Sequence, residues 1–130
     1  MLRLFSVENE MIDVQSNLPL TEPTFFILLA LAPGPLHGYG IMKETKLLSE
    51  GRVKLSTSTL YGAIKRLLDQ GWIERAAAES GVENGRERKA YQLTDVGRRI
   101  LDAETSRLVS LLDAARQISE PVSHEPGSTG

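Results

Sequence analysis

The feature that most constrains the fold is an amphipathic segment at residues 56–70, bounded by residues that begin and end helices. Ser56 is a preferred N-cap residue, and Gly71 stands where helices commonly end in a glycine. Apolar residues recur at the spacing of one helical face, at Leu60, Ile64, Leu67 and Leu68. The segment therefore predicts a helix that buries one face and presents a polar face on the other side.

The polar face of this predicted helix suits an anionic partner. Residues 51–68 contain four Lys or Arg and no Asp or Glu. A surface that enters a DNA groove must be short and polar, because phosphates repel carboxylates and base edges need hydrogen-bond donors and acceptors. We expect Ser56 to act as a cap rather than as a base contact. The DNA-contacting residues predicted on this helix are Thr57, Ser58, Thr59, Tyr61, Lys65 and Arg66.

Two helices are predicted before this segment. Thr21 is expected to cap the first helix, with Pro23 in its first turn. Its eight-residue apolar run at residues 25–32 is far shorter than the ~20 residues of a membrane span. A Pro-Gly-Pro triplet at residues 33–35 ends it. The second helix is expected from about Gly38 to Leu48, with its buried side formed by Ile41, Met42, Thr45 and Leu48.

Two strand-like runs, residues 72–76 and 88–93, follow the amphipathic segment. Turn-forming residues at 79–85 separate them, so the pattern predicts a β-hairpin with a long polar tip. Trp72 is expected to pack in the core at its base. The wing residues predicted to contact phosphates are Arg86, Arg88 and Lys89. Three helices followed by a hairpin predict a mainly α fold with a small β-hairpin wing, the winged helix-turn-helix architecture.

A last helix is predicted from Thr94, its cap, to about Ile118. Its apolar residues recur at alternating spacings of three and four, so they form a stripe along one face of the helix. A domain of about 75 residues cannot cover this stripe along the whole helix. A partner helix from a second copy is therefore expected. The predicted dimer-interface residues are Leu101, Leu108, Leu111, Leu112 and Ala115.

The predicted organisation has four parts. Residues 1–20 form a partly flexible N-terminal extension, and residues 21–93 form the winged helix-turn-helix domain. Residues 94–118 form the dimerisation helix, and residues 119–130 form a disordered tail. Acidic residues early in the chain argue against a secretory signal, so we expect a cytoplasmic protein without membrane contact.

The composition disfavours catalytic and metal chemistry. The 130 residues include no cysteine and two histidines, His37 and His124. Thiolate metal sites and cysteine nucleophiles are therefore excluded, and His37 is expected to be structural or to cap a helix. A Gly-Tyr-Gly at residues 38–40 lacks the preceding strand and the third glycine of a dinucleotide site. We expect no enzymatic activity, no catalytic residue, no cofactor and no metal.

The charge is unevenly distributed along the chain. Residues 52–99 contain ten Lys or Arg and six Asp or Glu, whereas the remainder contains five and eleven. This segregation favours an anionic partner, namely double-stranded DNA. The net charge of −2 also leaves room for an alternative, a winged-helix protein-interaction module without sequence-specific DNA binding.

Three motifs occur in order along the chain: HGY at residues 37–39, LSTSTLYGAIKRL at residues 55–67 with GWI at 71–73, and RKAYQLTDVG at residues 88–97. Together they resemble the PadR family of bacterial transcriptional regulators. The resemblance covers about residues 21–118, although Gly62 stands where many members have proline. It implies a homodimeric repressor of a palindromic operator, in the compact branch of the family. It also implies a small-molecule effector, often aromatic in this family, that alters dimer geometry.

Overall fold

A computed structural model describes residues 14–77, 81–83 and 86–119, with backbone alone at residues 81–83, 86 and 87. The helices are α1 (Glu22–Leu31), α2 (Gly38–Leu48), α3 (Thr57–Gln70) and α4 (Asp95–Ser119). The strands are β1 (Leu36–His37), β2 (Ile73–Arg75), β3 (Gly81–Glu83), β4 (Arg86–Arg88) and β5 (Ala90–Leu93). Residues 14–16 are also helical. The predicted fold class, helices with a small β-wing and a long C-terminal helix, is confirmed.

Helix α1 lies in the centre of the fold. The Thr24 amide donates to the Thr21 hydroxyl at 3.3 Å, which confirms the predicted cap. Ile27, Leu28 and Leu31 are almost fully buried, because the apolar run offers little polar face to solvent. The helix ends at the predicted Pro-Gly-Pro triplet, and α2 packs against it.

Helix α2 has the predicted bounds, but the prediction that Leu48 belongs to its buried side was wrong. Ile41 and Thr45 are fully buried, whereas Leu48 is 41% exposed. The next buried position along the helix, four residues after Thr45, is occupied by Ser49. Its hydroxyl accepts a hydrogen bond from the Val53 amide at 2.9 Å, where the chain turns after the helix. The buried side of the helix therefore continues from Thr45 to Ser49, and Leu48 lies at its solvent-exposed margin.

The sheet contains a strand that the sequence did not predict. Strand β5 lies in the middle, antiparallel to β2 on one side and to the two-residue β1 on the other. The predicted hairpin is confirmed by the register of β2 and β5, in which Ile73 is opposite Leu93. Its tip differs from the prediction, because β3 and β4 form a second antiparallel pair there. The strand predicted at residues 88–93 is therefore interrupted at Lys89, between β4 and β5.

The start of α4 is fixed against the hairpin base. The Gly97 amide donates to the Thr94 hydroxyl at 3.0 Å, confirming the predicted cap, and that hydroxyl donates to the Gly71 carbonyl at 2.6 Å. Trp72 is buried as predicted. A Cβ on Gly97 would overlap the backbone carbonyl oxygen of Trp72, so only glycine permits this approach.

Within the described part of the protein, α4 packs on the other elements only through its first turns. Its buried residues are Gly97, Ile100, Leu101 and Glu104. The prediction that Leu101 lies in a dimer interface was wrong, because it is 4% exposed within the chain's own core. Residues 108–119 are exposed on all sides, so this part of the helix extends beyond the core.

The N-terminal side of the chain contributes to the core at its described end. Val14, Leu18 and Leu20 pack against the core cluster. Residues 1–13 of the predicted extension and residues 120–130 of the predicted tail lie outside the described residues. In the described part of the chain, no helix combines the length and the apolar character needed to cross a membrane.

Candidate nucleic-acid interface

Helix α3 is held in the fold by one apolar face. Leu60, Ile64 and Leu67 are at most 2% exposed. The Thr59 amide donates to the Ser56 hydroxyl at 3.1 Å, and Gly71 ends the helix with a φ of +77°. Both predicted helix boundaries are confirmed. This packing fixes which residues of α3 lie on the surface.

The outermost ridge of α3 follows a four-three-four spacing, which places its members on one face of the helix. These exposed residues are Ser58, Gly62, Lys65 and Asp69. The Lys65 side chain is 79% exposed and near the middle of the ridge. Asp69 was missing from the predicted face, and its carboxylate lies 3.3 Å from the Lys65 ammonium. The ridge is therefore basic in its middle and carries one acidic group towards its C-terminal end.

Hydroxyl groups gather at the N-terminal end of α3. The Ser56 hydroxyl donates to the Thr59 hydroxyl at 2.9 Å and lies 3.4 Å from that of Ser58. Ser56 serves as the cap, as expected. Thr57, Ser58 and Thr59 are all exposed. The end of the helix thus presents several donors and acceptors, the group types that base edges and phosphates recognise.

Arg66 lies on the flank of α3 that faces α1. Its guanidinium donates to the Thr24 hydroxyl at 3.0 Å, and Thr24 is buried near the start of α1. The residue is otherwise exposed. Arg66 therefore connects two helices, which reduces its freedom to reach a partner compared with Lys65.

Tyr61 lies on the other flank of α3, close to the start of α2 and to the wing. Its side chain is so close to Gly38 that a Cβ there would overlap the phenolic hydroxyl. Tyr61 is 47% exposed and lines an open depression of about 370 Å³. The described residues that line this depression are His37, Gly38, Tyr39, Tyr61, Arg88 and Lys89. The base of the wing and α3 thus border one concave surface.

The predicted wing cations are only partly described. Arg88 and Lys89 are exposed and lie at the depression. The backbone of Arg86 lies in β4, opposite Glu83, whereas its side chain is outside the described part of the structure.

Two residues at this surface were not predicted to be functional. Tyr39 is 73% exposed, and His37 occupies the N-cap position of α2 without a side-chain capping hydrogen bond. The helical spacing contained a signal for Tyr39, because it lies away from the buried Ile41 and Thr45. Among the residues the structure describes, no group of three or more His, Asp or Glu is arranged to hold a metal ion.

The predicted dimer residues other than Leu101 lie on the exposed end of α4. Leu108, Leu111 and Leu112 are 38%, 54% and 48% exposed, and Ala115 is also exposed. Ile118, 79% exposed, continues the same stripe. The spacing places these side chains on one side of the helix.

The fold and the exposed α3 beside a short hairpin define a winged-helix protein. Residues 27–103 match the transcriptional regulator PadR-like family. The chain belongs to this family of transcriptional regulators.

Known proteins of similar sequence or structure agree with that assignment. Bacillus subtilis PadR, solved in complex with operator DNA, is 29% identical with a TM-score of 0.57, and the match covers 65% of this chain and 46% of that one. A PadR family regulator from Clostridium difficile is 22% identical with a TM-score of 0.61, over 75% of this chain and 98% of that one.

A relative in sequence is much longer. An uncharacterized 37.1 kDa protein in transposon TN4556 of Streptomyces fradiae is 36% identical over 85 residues, 65% of this chain. The aligned stretch spans 22% of that relative. The similarity therefore concerns one segment of that protein and not the larger protein as a whole.

Proposed function

We propose that this chain is a sequence-specific DNA-binding regulator that inserts α3 into the major groove. The observation that carries the proposal is the common depression formed by Tyr61 of α3 with Arg88 and Lys89 of the wing. Because these groups border one surface, a duplex that receives α3 can also be contacted by the wing. Lys65, on the exposed ridge, is the residue best situated to read a base.

The proposed contacts fall into two classes. Lys65 and the hydroxyl groups of Ser58 and Thr59 face the groove, whereas Arg88 and Lys89 face phosphates. Arg86 joins the second class by its place in β4. Thr57 and Arg66 flank the ridge as further candidate contacts. The operator complex of Bacillus subtilis PadR supports DNA as the partner.

We also propose that two copies pair through the exposed end of α4. A leucine stripe that remains in water along three turns is costly, and a second copy of the same helix would bury it. Leu108, Leu111, Leu112 and Ala115 form this stripe. Pairing by two-fold symmetry would present two α3 helices to successive major grooves, about 34 Å apart, which requires a palindromic operator.

The pairing is tested by the sedimentation of two variants of the same helix. Leu112→Asp introduces a charge into the stripe and should yield a monomer. Ser110→Asp introduces the same charge on the opposite face and should leave the dimer intact. A monomeric wild-type protein, or two variants that both remain dimeric, would contradict pairing through this stripe.

We further propose that the protein is a repressor and that a small molecule bound in a pocket of the fold releases it from DNA. An open pocket of about 270 Å³ lies between the N-terminal segment, the end of α3 and the start of α4. Its described lining is apolar at Val14, Trp72, Val96 and Ile100 and polar at Asn17, Gln70 and Arg99. Such a mixed lining suits a small apolar molecule that has a polar group. A ligand there would touch both α3 and α4, so it would release DNA if it preferred the unbound form.

The experiment that tests DNA binding compares the wild-type chain with a triple charge-reversal variant, Lys65→Glu, Arg66→Glu and Arg88→Glu. Fluorescence anisotropy with labelled duplexes at several salt concentrations gives the affinity and its salt dependence. We expect wild-type affinity to fall steeply with salt, because phosphate contacts release counterions, and we expect the variant to lose binding. Equal affinity of both proteins for the duplexes at low salt would favour the protein-interaction module instead.

A further inference from the structure

We propose that the depression beside α3 is a clamp for one backbone phosphate of the bound duplex, with Tyr39 as a contact residue. The clamp consists of Tyr39, Tyr61 and Lys89, with Arg88 at its border. This inference rests on the proposed DNA binding and specifies one contact within it. Tyr39 is added to the interface on structural grounds alone.

The depression has the size and the lining for a phosphate group. It is open to solvent, and its volume of about 370 Å³ exceeds that of a single phosphate, so the adjoining sugars also fit. The described lining carries two phenols, a lysine and an arginine, and it includes no carboxylate. Phenolic O–H and ammonium N–H groups both donate to phosphate oxygens, and such hydrogen bonds to charged acceptors are the stronger ones.

The location of the depression favours a phosphate over a base edge. Tyr39 belongs to the first turn of α2, and Lys89 lies between β4 and β5, so neither is on the ridge of α3 that would enter the groove. A helix in the major groove has a sugar–phosphate strand on each side of it. The depression adjoins the Tyr61 flank of α3, where one of these strands would pass.

The two tyrosines at the depression differ in exposure and in packing. Tyr39 is 73% exposed, so its hydroxyl can turn towards a ligand. Tyr61 is held over Gly38, where any side chain would displace it. An exposed phenol and a closely packed one therefore both line the depression, and Lys89 supplies the positive charge. A contact of this kind adds affinity for any duplex and does not select a sequence.

The test uses the full-length protein and a duplex that it retains in a selection from random DNA, together with a scrambled duplex. Tyr39→Phe removes one hydroxyl, and Lys89→Ala removes the charge. Lys46→Ala, on the last turn of α2, is the matched control. Duplexes that carry a single neutral methylphosphonate, scanned through one half-site, locate the contacted phosphate.

We expect Tyr39→Phe to weaken binding to both duplexes by about tenfold or more, the value of one hydrogen bond to a charged acceptor. Lys89→Ala should also lower the salt slope by about one, and Lys46→Ala should bind like the wild type. Methylphosphonate at one position should weaken binding by the wild type clearly more than binding by the Tyr39→Phe, Lys89→Ala double variant, which retains Tyr61 and Arg88 at the depression.

The outcomes separate the clamp from the function on which it rests. Suppose that Lys65→Ala weakens binding to the selected duplex while Tyr39→Phe and Lys89→Ala bind like the wild type. The proposed DNA binding is then supported, and the proposed clamp is overturned. A loss in Tyr39→Phe confined to the selected duplex would make Tyr39 a base contact and would also overturn it. If the wild type retains no duplex, the proposed function fails and the clamp fails with it.

Discussion

The phenol of Tyr61 lies directly over Gly38, so that a Cβ on residue 38 would overlap its hydroxyl. The start of α2 thereby fixes where a side chain of α3 stands at the candidate interface. We predict that Gly38→Ala displaces Tyr61 and weakens DNA binding several-fold, measured by anisotropy.

A double-variant cycle separates this positioning from a general loss of fold. In a Tyr61→Ala background the ring is absent, so Gly38→Ala should then cost little further affinity. Equal losses in both backgrounds would show that Gly38 acts by another route.

The pair of Lys65 and Asp69 leads to a second prediction. The carboxylate lies on the exposed ridge of α3 and would face the DNA phosphates while it neutralises Lys65. Asp69→Asn removes a repulsive charge and frees the ammonium, so duplex affinity should rise several-fold, most at low salt. Because both side chains are largely exposed, we expect the stability of the fold to change by less than about 1 kcal/mol.

The matched control for this prediction is Asp102→Asn, an exposed carboxylate on α4. It changes the net charge by the same amount at a distance from the ridge. Equal increases in affinity for both variants would indicate an effect of total charge and not of the pair.

Two glycines should respond in opposite ways to an added methyl group. A Cβ at Gly62 would have no other atom within 4 Å, so Gly62→Ala should stabilise the fold by about 0.5–1 kcal/mol through helix propensity. A Cβ at Gly97 would overlap the Trp72 carbonyl oxygen, so Gly97→Ala should destabilise it by about 3 kcal/mol or more. Urea unfolding of both variants measures the difference. A destabilised Gly62→Ala would show that this face of α3 is covered within the protein.

Glu104 is a buried carboxylate that connects α4 to the N-terminal segment. It accepts hydrogen bonds from the Arg107 guanidinium at 2.6 and 2.9 Å and from the Leu20 amide at 2.9 Å. The Arg107 hydrogen bonds lower the pKa of Glu104 below its ordinary value, although burial opposes them. The ionised carboxylate is therefore the form that the folded state favours.

The lowered pKa gives the sign of a pH dependence. The contribution of Glu104 to stability is present above its unfolded pKa and is lost as the pH falls through the lower folded pKa. The wild type should therefore be more stable than Glu104→Gln at neutral pH, by about 1–3 kcal/mol, and this difference should shrink below about pH 4. Unfolding midpoints at several pH values measure it. A difference that is constant with pH would mean that ionisation of Glu104 is not what stabilises the fold.

The local structure of the winged helix could be predicted from short patterns. Ser56 and Gly71 bounded α3 correctly, because capping depends on a few neighbouring residues. Strand β1 could not be predicted, since a two-residue strand exists only through its pairing with β5. The misplaced Leu48 and Leu101 share a cause, because the helical period indicates a face and not what covers it.

The candidate site could be predicted along α3 and, in the wing, at Arg88 and Lys89. The ridge containing Ser58 and Lys65 follows from the helical period. The depression could not be predicted from the sequence, because it is lined by residues of α2, α3 and the wing that are distant from one another along the chain. Asp69 was overlooked although it follows Lys65 by one turn, the spacing at which side chains pair.

The most direct test of the central proposal is selection of bound duplexes from a random pool by the wild-type protein, with Lys65→Ala in parallel. We predict that the wild type enriches an inverted repeat whose half-sites lie about 10 base pairs apart, centre to centre, or a multiple of that distance. Lys65→Ala should lose the preference at one position of each half-site while it retains non-specific binding. A wild-type pool that shows no enriched sequence after repeated rounds would contradict the proposal that this chain reads DNA.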